Sequence, residues 1–139
     1  LAFGQALIWA PLDAGARKAH GAPSGVDAPL EDNMDLHIYS TILETVAMLR
    51  TEMELIGRRD PDLERQLRKA AASMALNTSE GAYSRGRNAQ LRFHTALGSA
   101  RETLACVEVG VALGYMPKVR EVLVVRMRQI LGTLTKLTR

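Results

Sequence analysis

From Met34 to the C-terminus, hydrophobic positions recur at alternating intervals of three and four, the spacing of a seam shared by packed helices. In the first segment Ile38, Ile42, Val46, Leu49, Met53 and Ile56 carry this seam and Gly57 supplies a stop, so the spacing predicts a helix over 35–56. The second segment opens on Asp60-Pro61, an N-cap residue followed by proline at the first helical position, with Asp62 and Glu64 in the positive first turn. Its seam runs Leu63, Leu67, Ala70, Met74 and Asn77, and Gly81 is expected as a left-handed C-cap, giving a helix over about 60–80. The third follows a loop over Ser84–Arg87 and places Phe93, Leu97, Ala100, Leu104, Val107 and Val111 on one face, ending at Gly114. The fourth follows Pro117 with Val119, Leu123, Met127, Ile130, Leu134 and Leu137.

No stretch shows the period-two alternation of a half-buried strand, and no repeat of roughly 30 to 45 residues points to an open helical array. Four amphipathic helices joined by short loops predict an all-α protein, an up-down-up-down antiparallel four-helix bundle over 34–139. Helices two and three carry Ala70, Ala71, Ala72, Ser73 and Ala75 against Ala96, Gly98, Ser99 and Ala100, small residues that let backbones approach. Gly98 costs roughly 1 kcal/mol of helix propensity relative to alanine, which predicts a tight crossing there.

Residues 1–33 differ in kind. Gly4, Gly15, Gly21, Gly25, Pro11, Pro23 and Pro29 forbid a long regular element, so this stretch reads as a Gly/Pro-rich N-terminal extension. It is either a partly ordered terminus or an arm whose Leu7, Ile8 and Trp9 dock on the body or on a neighbouring subunit. The chain starts with Leu and its first methionine is Met34, which suggests an added or processed segment. The opening residues lack the basic leading segment of a secretory signal, and their apolar run ends at Pro11.

Composition narrows the function classes. A chain of 139 residues, 47% hydrophobic and only 4% aromatic, suits one domain with an aliphatic core. A single cysteine, Cys106, cannot form an internal disulfide, and the default compartment is the cytoplasm. The apolar run Val107–Leu113 is interrupted by Glu108 and is far shorter than the ~20 residues of a membrane span, so a membrane partner is not expected.

Candidate chemistry is sparse. Asn77 sits on a seam with Glu80 three residues on, and Ser99 and Glu102 share the same spacing. Two carboxylates could form an acid/base pair, but the sequence offers neither a pocket nor a further polar partner. The preferred reading has Asn77 and Glu80 hydrogen-bonded across to Ser99 or to loop backbone, fixing helix register. Ion pairing with Arg68, Arg92 or Arg101 would suit a clamp better than a general acid. The three histidines, His20, His37 and His94, are preceded three positions earlier by Arg17, Met34 and Leu91, so the Glu-x-x-His pattern of metal-binding bundles is missing. Phosphate-loop and nucleophile-elbow motifs are missing too, and neither an enzyme, a cofactor nor a metal is expected.

Charge is unevenly spread. The whole chain carries +3, yet residues 85–139 hold ten basic and three acidic side chains, and no acid occurs between Gly81 and Arg101. Arg85 and Arg87 precede helix three, where guanidinium groups can reach phosphates with paired hydrogen bonds. Arg92, Arg58, Arg59, Arg126 and Arg128 complete the candidate RNA-contacting set; Arg58 and Arg59 are expected at the end opposite Arg85 and Arg87. The low aromatic content argues against a base-stacking single-strand platform and favours backbone or shape recognition of folded RNA.

The run Gln66-Leu67-Arg68-Lys69-Ala70-Ala71-Ala72-Ser73-Met74-Ala75-Leu76-Asn77-Thr78-Ser79-Glu80-Gly81 resembles a family signature. The family is the four-helix bundle proteins encoded in intervening sequences of bacterial 23S ribosomal RNA genes. The resemblance continues through Arg92-Phe93, Ala96-Leu97-Gly98-Ser99, Glu102 and Leu113-Gly114-Tyr115, over about 36–137. It implies a cytoplasmic bundle, commonly a homopentamer, with a basic surface and an RNA-associated role. A related branch serves as the accessory protein of diversity-generating retroelements, which implies a protein partner such as a reverse transcriptase as the alternative. Arg68, Asn77, Glu80, Gly81, Ser99 and Glu102 match signature positions with structural roles, and the resemblance carries no catalytic motif. Thr78-Ser79 replaces the usual isoleucine-alanine, and Asn88-Ala89-Gln90 lacks the usual acid.

Overall fold

A computed structural model of the protein describes the backbone of residues 30–139 and the side chains from His37 onward. The docking arm expected within residues 1–33 lies, up to residue 29, outside the described residues. The described chain runs α1 (Leu30–Met48), α2 (Arg50–Gly57), α3 (Pro61–Tyr83), α4 (Gly86–Ala112) and α5 (Glu121–Leu137), with no strand among the described residues. Because α1 and α2 are one rod interrupted at Leu49, the architecture is the expected four-helix bundle.

The first rod starts at Leu30, five residues before the predicted position, because no glycine or proline occurs between Pro29 and Gly57. Its interruption was not predicted. Leu49 keeps a right-handed helical backbone and its seam place at 0% exposure, while the Met48 carbonyl accepts a bond from the Arg120 guanidinium at 2.7 Å. A side chain taking a helical carbonyl is a recognised cause of a break in a long helix.

Helix α3 starts where the sequence places it. The Asp60 carboxylate accepts the Leu63 N–H at 3.0 Å, and Pro61 occupies the first helical position. Its end differs: α3 runs on to Tyr83, and Gly81 is an interior helical residue with no positive φ. A Cβ on Gly81 would lie 2.8 Å from the buried Phe93 ring, so this glycine serves close packing of α3 on α4 and not capping. Helix α4 begins at Gly86, which puts Arg87 in its first turn and not in the preceding loop. It ends as expected at Gly114 (φ +82°), where Gly114 N–H bonds Val111 and Tyr115 N–H bonds Gly110 at 3.0 and 2.9 Å, a Schellman closure.

The predicted tight crossing at Gly98 is overturned. Gly98 faces open space, whereas Gly110 has Met116 Cε and Ile56 Cδ1 at 3.0 and 3.1 Å from its would-be Cβ. Seam spacing alone does not tell which helical glycine meets a neighbour. The core itself follows the predicted seams: Ile42, Leu49, Ile56, Leu67, Met74, Val107, Leu123, Ile130 and Leu134 are all fully buried. Helices α3 and α4 form the most extensive pairing, in antiparallel register with Ser73 beside Ser99 and Glu80 beside Arg92.

Two ends result. The α2–α3 and α4–α5 connections share one end, tied by the Tyr115 hydroxyl donating to Asp60 Oδ2 at 3.1 Å. The α3–α4 turn lies at the other, with the chain terminus, where Gln90 Nε2 donates to the Arg139 carbonyl at 3.2 Å.

Candidate nucleic-acid interface

Three of the signature residues, Asn77, Glu80 and Ser99, join Ser73 and Arg92 in a polar strip along the α3–α4 contact. Ser73 and Ser99 hydroxyls meet at 2.7 Å, and Asn77 Nδ2 donates to both the Ser73 carbonyl (2.9 Å) and its hydroxyl (3.1 Å). Arg92 then spans the helices, donating from Nη1 to Asn77 Oδ1 at 3.4 Å and pairing through Nε with Glu80 Oε2 at 2.9 Å. Asn77 thus reaches Ser99 by way of Ser73, one residue more than the sequence reading supplied, and Glu80 bonds Arg92 instead of Ser99 or loop backbone. The Glu80–Arg92 pair is half-exposed, which makes it a surface latch of small energetic weight. Arg68 pairs with Glu64 one helical turn back and not with Glu80 or Glu102, and Glu102 is exposed.

Glu102 has one further effect. Together with burial, which contributes more, it pushes the Cys106 thiol above its ordinary value. This disfavours the thiolate, the opposite of what a nucleophilic cysteine requires. Among the described residues no three His, Cys, Asp or Glu side chains gather as metal ligands would.

The ion pairs sort the candidate arginines. Arg58 is held by Glu54 at 2.8 Å, Arg126 by Glu44 at 3.3 Å, and Arg92 by Glu80. Arg85, Arg87, Arg59 and Arg128 have no carboxylate within 4 Å among the described residues. Arg85 is the N-cap residue of α4, without a side-chain capping bond, and the first turn behind it contains no acid. The unsatisfied N–H groups and positive dipole end of this 27-residue helix add to the charge of Arg85 and Arg87. The hydrogen bond from Gln90 brings Arg139, a residue the sequence reading did not single out, to the same end. Arg58 and Arg59 lie at the opposite end, about 35 Å away by the length of the 23-residue α3. The fold therefore does not gather all seven candidates into one patch.

The pair that sequence reasoning missed is Glu52 with Arg120. Glu52 is 2% exposed, yet its carboxylate receives Arg120 Nε at 2.6 Å and Nη2 at 2.9 Å. The Glu52 hydrogen bond is the main cause that raises the Arg120 guanidinium above its ordinary value. Glu52 falls one position before the seam residue Met53, so its sequence context reads as a flank; a distant basic residue completes the site.

No protein-family model matches this chain, and no curated protein matches it. Among solved structures, the chain is similar to the crystal structure of a protein of unknown function from the S23 ribosomal protein family of Bacteroides thetaiotaomicron. The TM-score is 0.55 at 18% identity, covering 76% of this chain and 91% of that one. This likeness supports the helical-bundle fold. Among the described residues, no helix is long and apolar enough to cross a membrane.

Proposed function

We propose that this chain is a non-enzymatic, cytoplasmic, homo-oligomeric protein that associates with structured RNA through arginine patches, in the manner implied by its resemblance to the ribosomal intervening-sequence proteins. The observation that carries the reading is the α3–α4 end: Arg85 and Arg87 stand without carboxylate partners among the described residues, at the positive end of a long helix, in a stretch with no acid from Gly81 to Arg101. Each patch binds weakly alone. Repetition in an oligomer would convert several phosphate contacts into useful affinity.

Support for assembly comes from exposed apolar side chains: Leu76 on α3 and Leu91 on α4 are each 63% exposed, and Val109 and Leu113, at the other end of α4, are exposed as well. Leu76 and Leu91, in the halves of the two helices nearest their shared turn, are the apolar side chains that burial against another chain would cover there. Leu76→Glu is expected to lower the solution mass measured by light scattering without lowering helicity; an unchanged mass would remove Leu76 from the assembly face.

The RNA reading is tested by a salt series with structured RNA. Arg85→Ala/Arg87→Ala is expected to weaken binding and to flatten the slope of log K against log salt by about 1.4 to 1.8 for two lost phosphate contacts. Equal affinity and slope would reject the assignment. If wild type fails to bind RNA yet retains a specific protein such as a retroelement reverse transcriptase, the structural-adaptor reading holds instead, with the exposed Leu76 and Leu91 as its first candidate contacts.

A further inference from the structure

Four aromatic side chains lie among the described residues, and three of them pack. Phe93 is buried against Gly81, while Tyr39 and Tyr115 are half-buried. Tyr83 is 80% exposed and makes no side-chain hydrogen bond among the described residues. It closes α3, two residues before Arg85 and four before Arg87. Consecutive Cα atoms are about 3.8 Å apart, so the Tyr83 and Arg85 Cα atoms stand no more than about 7.6 Å apart. The neighbouring Glu80 is neutralised by Arg92.

Resting on the RNA reading above, we propose that Tyr83 is the stacking surface for one unpaired base whose flanking phosphates are held by Arg85 and Arg87. An aromatic ring offers a π-face that any base can use, and stacking needs an unpaired base, because paired bases in a duplex are already stacked on each other. The arginines supply charge without preference between duplex and loop. Tyr83 supplies that preference. A low aromatic content excludes an extended stacking platform but leaves room for one stacked base beside two phosphate contacts.

The test compares a hairpin RNA carrying an unpaired loop with a blunt duplex of the same stem sequence, using the full chain at measured oligomer mass. Wild type is expected to prefer the hairpin. Tyr83→Ala is expected to lose about 5- to 100-fold in hairpin affinity, with duplex affinity and salt slope unchanged. Tyr83→Phe is expected to keep the preference, because the ring remains. Unchanged hairpin binding by Tyr83→Ala, with Arg85→Ala/Arg87→Ala still defective, would overturn the stacking proposal and leave the RNA reading standing. Failure of wild type to bind either RNA would overturn both. A change in oligomer mass on Tyr83→Ala would reassign the ring to a subunit contact and likewise overturn the proposal.

Discussion

Arg120→Ala is expected to destabilise the bundle by about 3 kcal/mol, the lower end of the range for breaking a buried ion pair, read as a lower urea midpoint at unchanged m value. The lower end applies because the Arg120 side chain is 41% exposed and water can enter where it leaves. Two consequences add: the buried Glu52 carboxylate loses both partners, and the Met48 carbonyl loses its donor at the α1–α2 break. Arg120 is also the N-cap residue of α5, so the lost anchor loosens that helix from the first rod. The paired change Glu52→Leu/Arg120→Met is expected to recover most of the loss, because no charge then stays buried alone. If the double variant is no better than the single, the deficit arises from packing and not from the stranded carboxylate.

The pH dependence of this pair follows from the raised guanidinium value. A group whose folded-state value exceeds its unfolded value contributes fully below the unfolded value and is lost only as pH rises through the folded one. For an arginine that window lies in strong alkali. The protonation of the Arg120 guanidinium is therefore expected to add no pH dependence to stability from about pH 6 to pH 10, so any change in the Arg120→Ala loss over that range measures proton uptake by the stranded carboxylate in the variant.

The second large effect separates two glycines that look alike in sequence. Gly81→Ala is expected to destabilise by about 1 to 3 kcal/mol, since the new methyl would lie 2.8 to 3.0 Å from three atoms of the buried Phe93 ring. Gly98→Ala, with open space around it, is expected to stabilise the isolated subunit by about 0.5 to 1 kcal/mol. Thermal or urea unfolding of the two variants decides the matter. Adding Phe93→Leu to Gly81→Ala is expected to relieve part of the strain, and no relief would mean that the ring is not the obstacle.

Those two glycines show how legible the chain is. Both interrupt good helical patterns, and in each case the sequence assigns a reason, capping for Gly81 and close crossing for Gly98, that the packing reverses. Seam spacing gives the face of a helix but not the height at which a neighbouring ring arrives. Gly114 was readable, because a Schellman closure uses only residues adjacent in sequence. The α3 start was readable for the same reason, through Asp60 and Pro61.

The candidate site divides along the same line. The lack of acids between Gly81 and Arg101 is a sequence property, and so is the placing of Arg58 and Arg85 at opposite ends once an up-down path is assumed. The pairing of individual arginines is not, because a partner one helix away has no fixed sequence offset; Glu44 with Arg126 and Glu52 with Arg120 are the cases in point. Exposure of Tyr83 belongs with them, since tyrosine occurs both in cores and on surfaces.

Local rules, which act over three or four residues, thus determined the helices, the start of α3, the end of α4, the seams and the distribution of charge. Only the tertiary structure decided which glycine touches a ring, which carboxylate lies buried against Arg120, and which arginines remain without a partner among the described residues. Those outcomes depend on distances between residues far apart in the chain, and those distances exist only once the helices have packed.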